Sequence, residues 1–337
     1  MMILDGSEAG GQFVRTACAL SAITGKAIRI INIRGARPEP GLKIQHIEGI
    51  KALGELCRAE ISGLEKGSRE LDFFPREFSE KDLEVNISSA GSIGLVLQAL
   101  LIAAIKFEKQ VKIKFNGGGT WGKWAPPVLY LEKVLFPLLG CEDSLAINIK
   151  RDGFYPKGGA EVEVIVKPFK PEPTDKTEKG KLLELNIFSL ASESLKRANV
   201  AERQARAAED FLRGKFLVPI TKDIKYVPSV SPGSGVLVAG KYEHSILGGD
   251  AIGELGKRAE DVGKEAAKNF LSEIGATADR HAADMLLPYM AFSGGSFMTS
   301  AITRHIATNC SVIEKFLPVK FGIDREKNVV KVRKVQE

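Results

Sequence analysis

Two rhythms of apolar and polar positions run along the chain. Residues 83–87, 111–115, 145–149 and 160–166 alternate apolar with polar, the period-two pattern of a strand with one buried face. Between such stretches lie longer apolar runs. The longest, IGLVLQALLIAAI at 93–105, is too short to span a bilayer, carries Gln98 and meets Lys106, so a buried helix is expected and no membrane partner.

The pattern recurs. SEAGGQFVRTACALSAITGKAIRIINIRG from Ser7 and SSAGSIGLVLQALLIAAIKFEKQVKIKFNGG from Ser88 both read as a small-residue turn, an apolar helix, a break and a strand. ARPEPGLKIQHIEGIKALGELC, ending at Cys57, and TWGKWAPPVLYLEKVLFPLLGC, ending at Cys141, continue both copies with a proline-containing loop and an amphipathic helix. DRHAADMLLPYMAFSGGSFMTSAI followed by TRHIATNCSVIEKFLPVKFGI is a weaker third copy. The expected class is α/β (α+β), with three βαβαββ-type units around a shared centre. Residues 167–181, KPFKPEPTDKTEKGK, read as a linker. Strands at 182–188 and near 224–230, with helices at 200–214 and 253–273, then read as a smaller inserted α/β domain. The expected division is a large domain of 1–180 plus 275–337 and an insert of 181–274. Aligned on the breaks at Gly25, Glu108 and Gly294, the three apolar helices carry Arg15, Gln98 and Asp284 at equivalent positions. Polar groups in apolar helices need partners, so a shared polar centre is expected.

Charge narrows the class of partner. A net charge of +6 and a pI near 9.0 favour a polyanion, nucleic acid or nucleotide. The opening MMILDG lacks the basic and apolar regions of a signal peptide. Cys18, Cys57, Cys141 and Cys310 are widely spaced with no C-x-x-C pair, which speaks against a zinc site or a disulfide scaffold and fits a reducing cytoplasm.

Five segments could carry chemistry. DGSEAGGQ at 5–12 is a glycine-rich turn before a helix, suited to phosphate, with Glu8 able to hold a divalent ion; it is neither a Walker A loop nor a dinucleotide fingerprint. RGARPEPGLKIQH at 34–46 sets Arg34, Arg37 and Lys43 on a proline-stiffened loop. NGGGTWGKWAPP at 116–127 offers Trp121, Lys123 and Trp124 for stacking on a base or single-stranded RNA. GFYPKGG at 153–159 is a tight turn. TRHIATN at 303–309 holds a lone histidine, His305, without metal-ligand or triad spacing. Such a histidine is more often structural, but a neutral imidazole flanked by cations can attack phosphorus directly.

Together, GFYPKGG, SEAGGQ, RGARPEPGLKIQH, SSAGSIGLVLQ and ITRHIATN…EKFLPVKF closely resemble the RNA 3′-terminal phosphate cyclase family, in the same order and over residues 4–321. The resemblance implies three units like the C-terminal domain of translation initiation factor three, with a smaller domain inserted before the last is complete. It implies His305 as nucleophile, Glu8 as the metal-linked glutamate (Mg²⁺ or Mn²⁺), and Gln12, Arg15, Arg34, Arg37, Gln45, Gln98 and Asp284 as phosphate- and active-site-lining positions. It implies an ATP adenine held between Pro126 or Pro127 and, where the family has tyrosine, His281. Asp152 and Ala160 depart from the family's usual residues around GFYPKGG, in a turn expected to support the fold. The implied activity is ATP-dependent conversion of an RNA 3′-terminal phosphate to a 2′,3′-cyclic phosphodiester, through histidyl-AMP and RNA(3′)pp(5′)A. The oligomeric state stays open, a homodimer among the options. Non-catalytic ribosome-assembly relatives, which lack the histidine, are the alternative. An enolpyruvyl transferase would need more repeats, and a plain RNA-binding module would turn over no ATP.

Overall fold

The computed structural model describes residues 1–123 and 125–335; Trp124, singled out above for stacking, lies outside them. Three four-stranded sheets share one plan. The first runs, edge to edge, Met2–Asp5, Ile28–Ile31, Leu71–Phe74, Glu60–Ser62. The second runs Leu83–Ser92, Val111–Gly119, Glu161–Val166, Leu145–Arg151, and the third Thr174–Lys176, Gly295–Met298, Val329–Lys334, Val319–Asp324. In each, the first two strands are parallel and the other neighbours antiparallel. Parallel neighbours need a crossover, and a helix supplies it: Gly11–Thr24, Ile93–Ala103 and Arg280–Ser293 in turn. A second helix follows the second strand: Ile44–Leu56, the stretch from Val128–Tyr130 through Phe136–Leu138, and Arg304–Phe316.

The alternation read in the sequence explains which faces are covered. Val162, Val164 and Val166 point inward while Glu161 and Glu163 face outward. Each fully buried side chain of this size contributes roughly 1.5–3 kcal/mol. The Ile93–Ala103 helix is apolar almost all round and buried almost all round, as expected for a core helix rather than a membrane span. No helix among the described residues is long and apolar enough to cross a membrane.

Two expectations are corrected. The stretch 167–181 is not only a linker: Thr174–Lys176 is the first strand of the third sheet, pairing in parallel with Gly295–Phe297. Three residues are too few for a period to show. Residues 182–274 therefore enter the third unit between its first strand and its first helix. The second correction is the helix expected at 253–273, which begins at Ala259; Gly256, at φ +82, breaks helical continuity before it.

The inserted stretch forms a fourth sheet, ordered Ile220–Val227, Leu182–Ser192, Ser234–Tyr242, Ile246–Ile252, with helices Val200–Leu212 and Ala259–Glu273. It has its own apolar cluster, including Leu185, Ile187, Leu212, Val236, Val238 and Phe270. Small residues let the rest of the chain dock on it. A Cβ on Gly235 would sit 2.2 Å from the Trp121 ring, and one on Gly233 would sit 2.1 Å from that of Phe154. Trp121, read from sequence as a stacking surface, is thus only 3% exposed and fills a structural notch. Asp279 adds a polar tie. This fully buried carboxylate caps the Arg280–Ser293 helix through the His281 and Ala282 amides, and accepts from Tyr130 Oη (2.6 Å) and from the Gly248 amide (2.8 Å) in the fourth sheet. Burial raises its pKa against the hydrogen bonds that lower it.

Candidate functional site

His305 sits in the first turn of the Arg304–Phe316 helix, because Thr303 stops the preceding loop and caps the helix: its Oγ1 accepts from the Ile306 amide at 3.2 Å. Asp279 caps the neighbouring Arg280–Ser293 helix and so fixes the register of Asp284 in its second turn. The two helices pack together, leaving His305 Nδ1 3.0 Å from Asp284 Oδ2. On the ring's other side, Arg37 Nη2 lies 3.0 Å from His305 Nε2.

Those two contacts fix the tautomer. A guanidinium can only donate, so Nε2 must accept and carry the lone pair. The proton is therefore on Nδ1, where it is donated to Asp284. The result is a neutral imidazole whose free lone pair points at a cation. Gly10 presses on the same spot: a Cβ there would lie 3.1 Å from His305 Nε2 and 2.6 Å from Gln12 Oε1. The small residues of SEAGGQ thus leave room around the His305 ring.

Behind the histidine lies the polar centre. Arg15 is 8% exposed and donates from Nη2 to Gln98 Oε1 at 3.3 Å. Burial pushes its guanidinium down to about 10, with the charge of Asp284 opposing. Gln12 donates to Thr308 Oγ1 at 3.1 Å. Gln12 Oε1, Asp284 Oδ1 and Asn309 Oδ1 are buried and without a partner among the described residues, although buried polar atoms rarely are. Arg34 spends Nη1 on the carbonyls of Glu39 (3.0 Å) and Gly41 (2.7 Å), bracing its own loop, while Lys43 pairs with Glu39.

All this opens on a cavity of about 1900 Å³. Of the twelve positions that the family resemblance implies, Gln12, Arg15, Arg34, Arg37, Gln45, Gln98, Pro126, His281, Asp284 and His305 line it. Two do not. Pro127 is buried at the start of the Val128–Tyr130 helix, and Glu8 is exposed and paired with Arg304 at 3.1 Å. His281 Nε2 lies 3.5 Å from Asp250 Oδ1, and its ring meets Tyr130 edge-on at 5.7 Å. Burial disfavours its protonation, but the hydrogen bond to Asp250 and the charges of Asp250 and Asp279 outweigh that and raise its pKa. Sequence reasoning missed the far wall. Arg203, Lys257 and Arg258 reach the cavity from the inserted stretch, and no pattern near the motifs signals them.

His46, at the end of the basic loop, is 4% exposed beneath the site. Its Nδ1 accepts from the Lys43 amide at 3.1 Å. Burial, then the charges of Arg15, Arg34 and Lys43, push its pKa down to about 3. The unfolded chain takes up this proton near pH 6.5, whereas the folded chain refuses it until about pH 3. Stability from this group is complete above pH 6.5 and falls as pH falls, by about 1.4 kcal/mol per unit. Urea unfolding at pH 7 and pH 5 should differ by about 2 kcal/mol on this account. The non-titrating His46→Gln variant should lose that part of the slope; an unchanged slope would assign the acid sensitivity elsewhere.

Comparison with known proteins shows the family. The family model described as RNA 3′-terminal phosphate cyclase matches residues 6–323. A Pyrococcus abyssi protein named RNA 3′-terminal phosphate cyclase is 45% identical over 337 residues, covering 97% of this chain and 96% of the relative. Its namesake from Pyrococcus furiosus is 43% identical and covers 99% of each chain, and that from Hyperthermus butylicus is 44% identical, covering 94% and 92%. With a histidine held between Asp284 and Arg37 inside a matched region of this length, the chain belongs to the RNA 3′-terminal phosphate cyclase family.

Proposed function

We propose that the protein uses ATP to convert an RNA 3′-terminal phosphate to a 2′,3′-cyclic phosphodiester, with His305 as the transient carrier of AMP. The observation that carries this reading is the Asp284–His305–Arg37 line, which leaves the Nε2 lone pair as nucleophile. Nε2 attacks the α-phosphorus of ATP; an N–P bond forms and pyrophosphate leaves. The ring keeps its Nδ1 proton and becomes cationic, and the Asp284 carboxylate stabilises that charge. An oxygen of the RNA 3′-phosphate then attacks the same phosphorus, the N–P bond breaks, and RNA(3′)pp(5′)A forms. Finally the 2′-hydroxyl attacks the RNA phosphorus, loses its proton to solvent, and expels AMP. Without activation the hydroxyl would have to expel an oxide; AMP is a far better leaving group.

Arg37 has two duties in this scheme. It covers the lone pair in the free protein, and it must move off Nε2 for attack, which leaves its guanidinium beside the phosphoryl oxygens gaining charge. Catalysis of such transfers is mostly positioning and charge neutralisation. Arg15 and Gln98 form the fixed floor, Pro126 and His281 flank the adenine, and Gln12, Gln45 and Arg34 complete the polar wall. A Mg²⁺ or Mn²⁺ ion on the phosphates would be held by Glu8, after that carboxylate parts from Arg304, and would neutralise phosphate charge. One protein carboxylate plus phosphates is an ordinary Mg²⁺ set. No cluster of three His, Cys, Asp or Glu among the described residues offers a fuller one. The proposed division is a large unit, 1–180 with 275–337, carrying the nucleophile, and an insert, 181–274, closing the cavity.

The test uses ATP labelled at the α-phosphate, with Mg²⁺ or Mn²⁺ and no RNA. Label should remain on the denatured protein, be lost in acid, and be absent when the label is on the γ-phosphate. No α-label from a protein that still binds RNA would move the reading to a non-catalytic relative.

A further inference from the structure

The turn at 153–159 has no part in the chemistry above, yet among the described residues it holds the most exposed aromatic on the cavity wall. Tyr155 is 82% exposed and, with Pro156, lines the cavity. Its mount is rigid. Phe154 is buried against Gly233, the Gly158 amide donates to the Phe154 carbonyl at 2.8 Å, and the Lys157 amide donates to Ser231 Oγ at 3.3 Å. Gly158, at φ +68, packs so close to Ser89 and Ala90 that a Cβ would lie 2.8 Å from the Ser89 carbonyl oxygen. The Tyr155 ring therefore stands free in solvent while the backbone that carries it is fixed. Such an arrangement suits a ligand that stacks, because little conformational freedom remains to be lost on binding.

We propose that the Tyr155 ring is a stacking platform for a base of single-stranded RNA upstream of the terminal nucleotide. The proposal rests on the cyclase reading for which end of the RNA enters. Three observations select this ligand over the ATP base. The cavity, at about 1900 Å³, is larger than the roughly 300–1,000 Å³ of a site for one small molecule. The residues assigned to adenine are far more enclosed: Pro126 is buried and the His281 side chain 34% exposed. A chain whose 3′ end lies at His305 must leave through the mouth, where exposed Lys157 follows Tyr155 and Arg258 stands on the insert, its side chain 73% exposed. Trp121, one of the two tryptophans expected to stack, is packed under the insert, whereas the Tyr155 ring stands exposed on the same cavity. Stacking on an aromatic accepts any base, which matches recognition of an end rather than a sequence.

The experiment measures fluorescence anisotropy of a labelled single-stranded RNA decamer ending in a 3′-phosphate, with the full chain. Tyr155→Ala should weaken binding about tenfold, and Tyr155→Phe should restore it. Transfer of α-label from ATP to the protein, and turnover of a nucleoside 3′-phosphate lacking upstream bases, should be unchanged. An unchanged Kd for Tyr155→Ala, a Phe variant as weak as the Ala variant, or an equal loss of ATP labelling would each overturn the proposal. The Kd requires no chemistry, so absence of cyclisation in the unaltered protein would fail the cyclase reading while leaving this measurement interpretable.

Discussion

Replacing His305 by alanine is expected to abolish protein-bound α-label and to lower the rate of RNA cyclisation by more than about 10⁴-fold, with the fold intact. The size follows from covalent catalysis: when the nucleophile is removed, what remains is binding and electrostatics, and losing the nucleophile alone can cost about as much as removing the whole catalytic unit. The fold should survive because the ring is part-exposed, its side chain 40% accessible, and Thr303 caps the helix without it. Circular dichroism and RNA binding check this, so that lost labelling cannot be assigned to unfolding. One further outcome is informative. Mixing the His305→Ala protein with pre-formed RNA(3′)pp(5′)A bypasses the first two steps, and cyclisation should then proceed at a rate near that of the unaltered protein. A variant equally dead on that intermediate would mean that His305 acts in the last step, and the carrier role would fall.

Much of this site was legible because the chain repeats itself. Arg15, Gln98 and Asp284 lie on three different helices, but each interrupts an apolar run at a similar distance from its break, and the structure brings all three to one cavity. His305 was legible as a motif, and its tautomer was not: that depends on Asp284, 21 residues away, and Arg37, 268 residues away. Trp121 was misread because an indole among glycines resembles a flexible recognition loop, whereas the matching notch at Gly235 lies more than a hundred residues further on. The Thr174–Lys176 strand was hidden by its brevity and by the Pro, Lys and Glu around it. Arg203 and Arg258 were invisible for the same reason as the Asp279 tie: both depend on how the insert sits on the rest, a relation with no local period or composition.

The second large effect is expected at Asp284. Asp284→Asn keeps the size of the side chain and removes its charge. The amide can present oxygen or nitrogen to His305 Nδ1; with nitrogen forward, Nδ1 must accept, the proton moves to Nε2, and the nucleophilic lone pair is gone. Even with oxygen forward, the imidazolium formed on attack loses its counter-charge. In hydrolases where a carboxylate holds a histidine this way, the same substitution costs about 10⁴-fold. A fall in single-turnover label transfer of roughly 10³–10⁴-fold is expected here, with ATP binding weakened far less. Arg15 makes the pH dependence diagnostic. Asp284 opposes the loss of the Arg15 proton that burial promotes, so without the carboxylate the Arg15 pKa should move further down from about 10. The residual rate of the Asn variant should therefore decline at lower alkaline pH than that of the unaltered protein. A variant with near-normal label transfer would show that Asp284 neither fixes the tautomer nor stabilises the imidazolium, and the lone pair on Nε2 would then need another cause. A variant slowed a thousandfold with its alkaline limb unmoved would keep the tautomer role and remove the electrostatic link to Arg15.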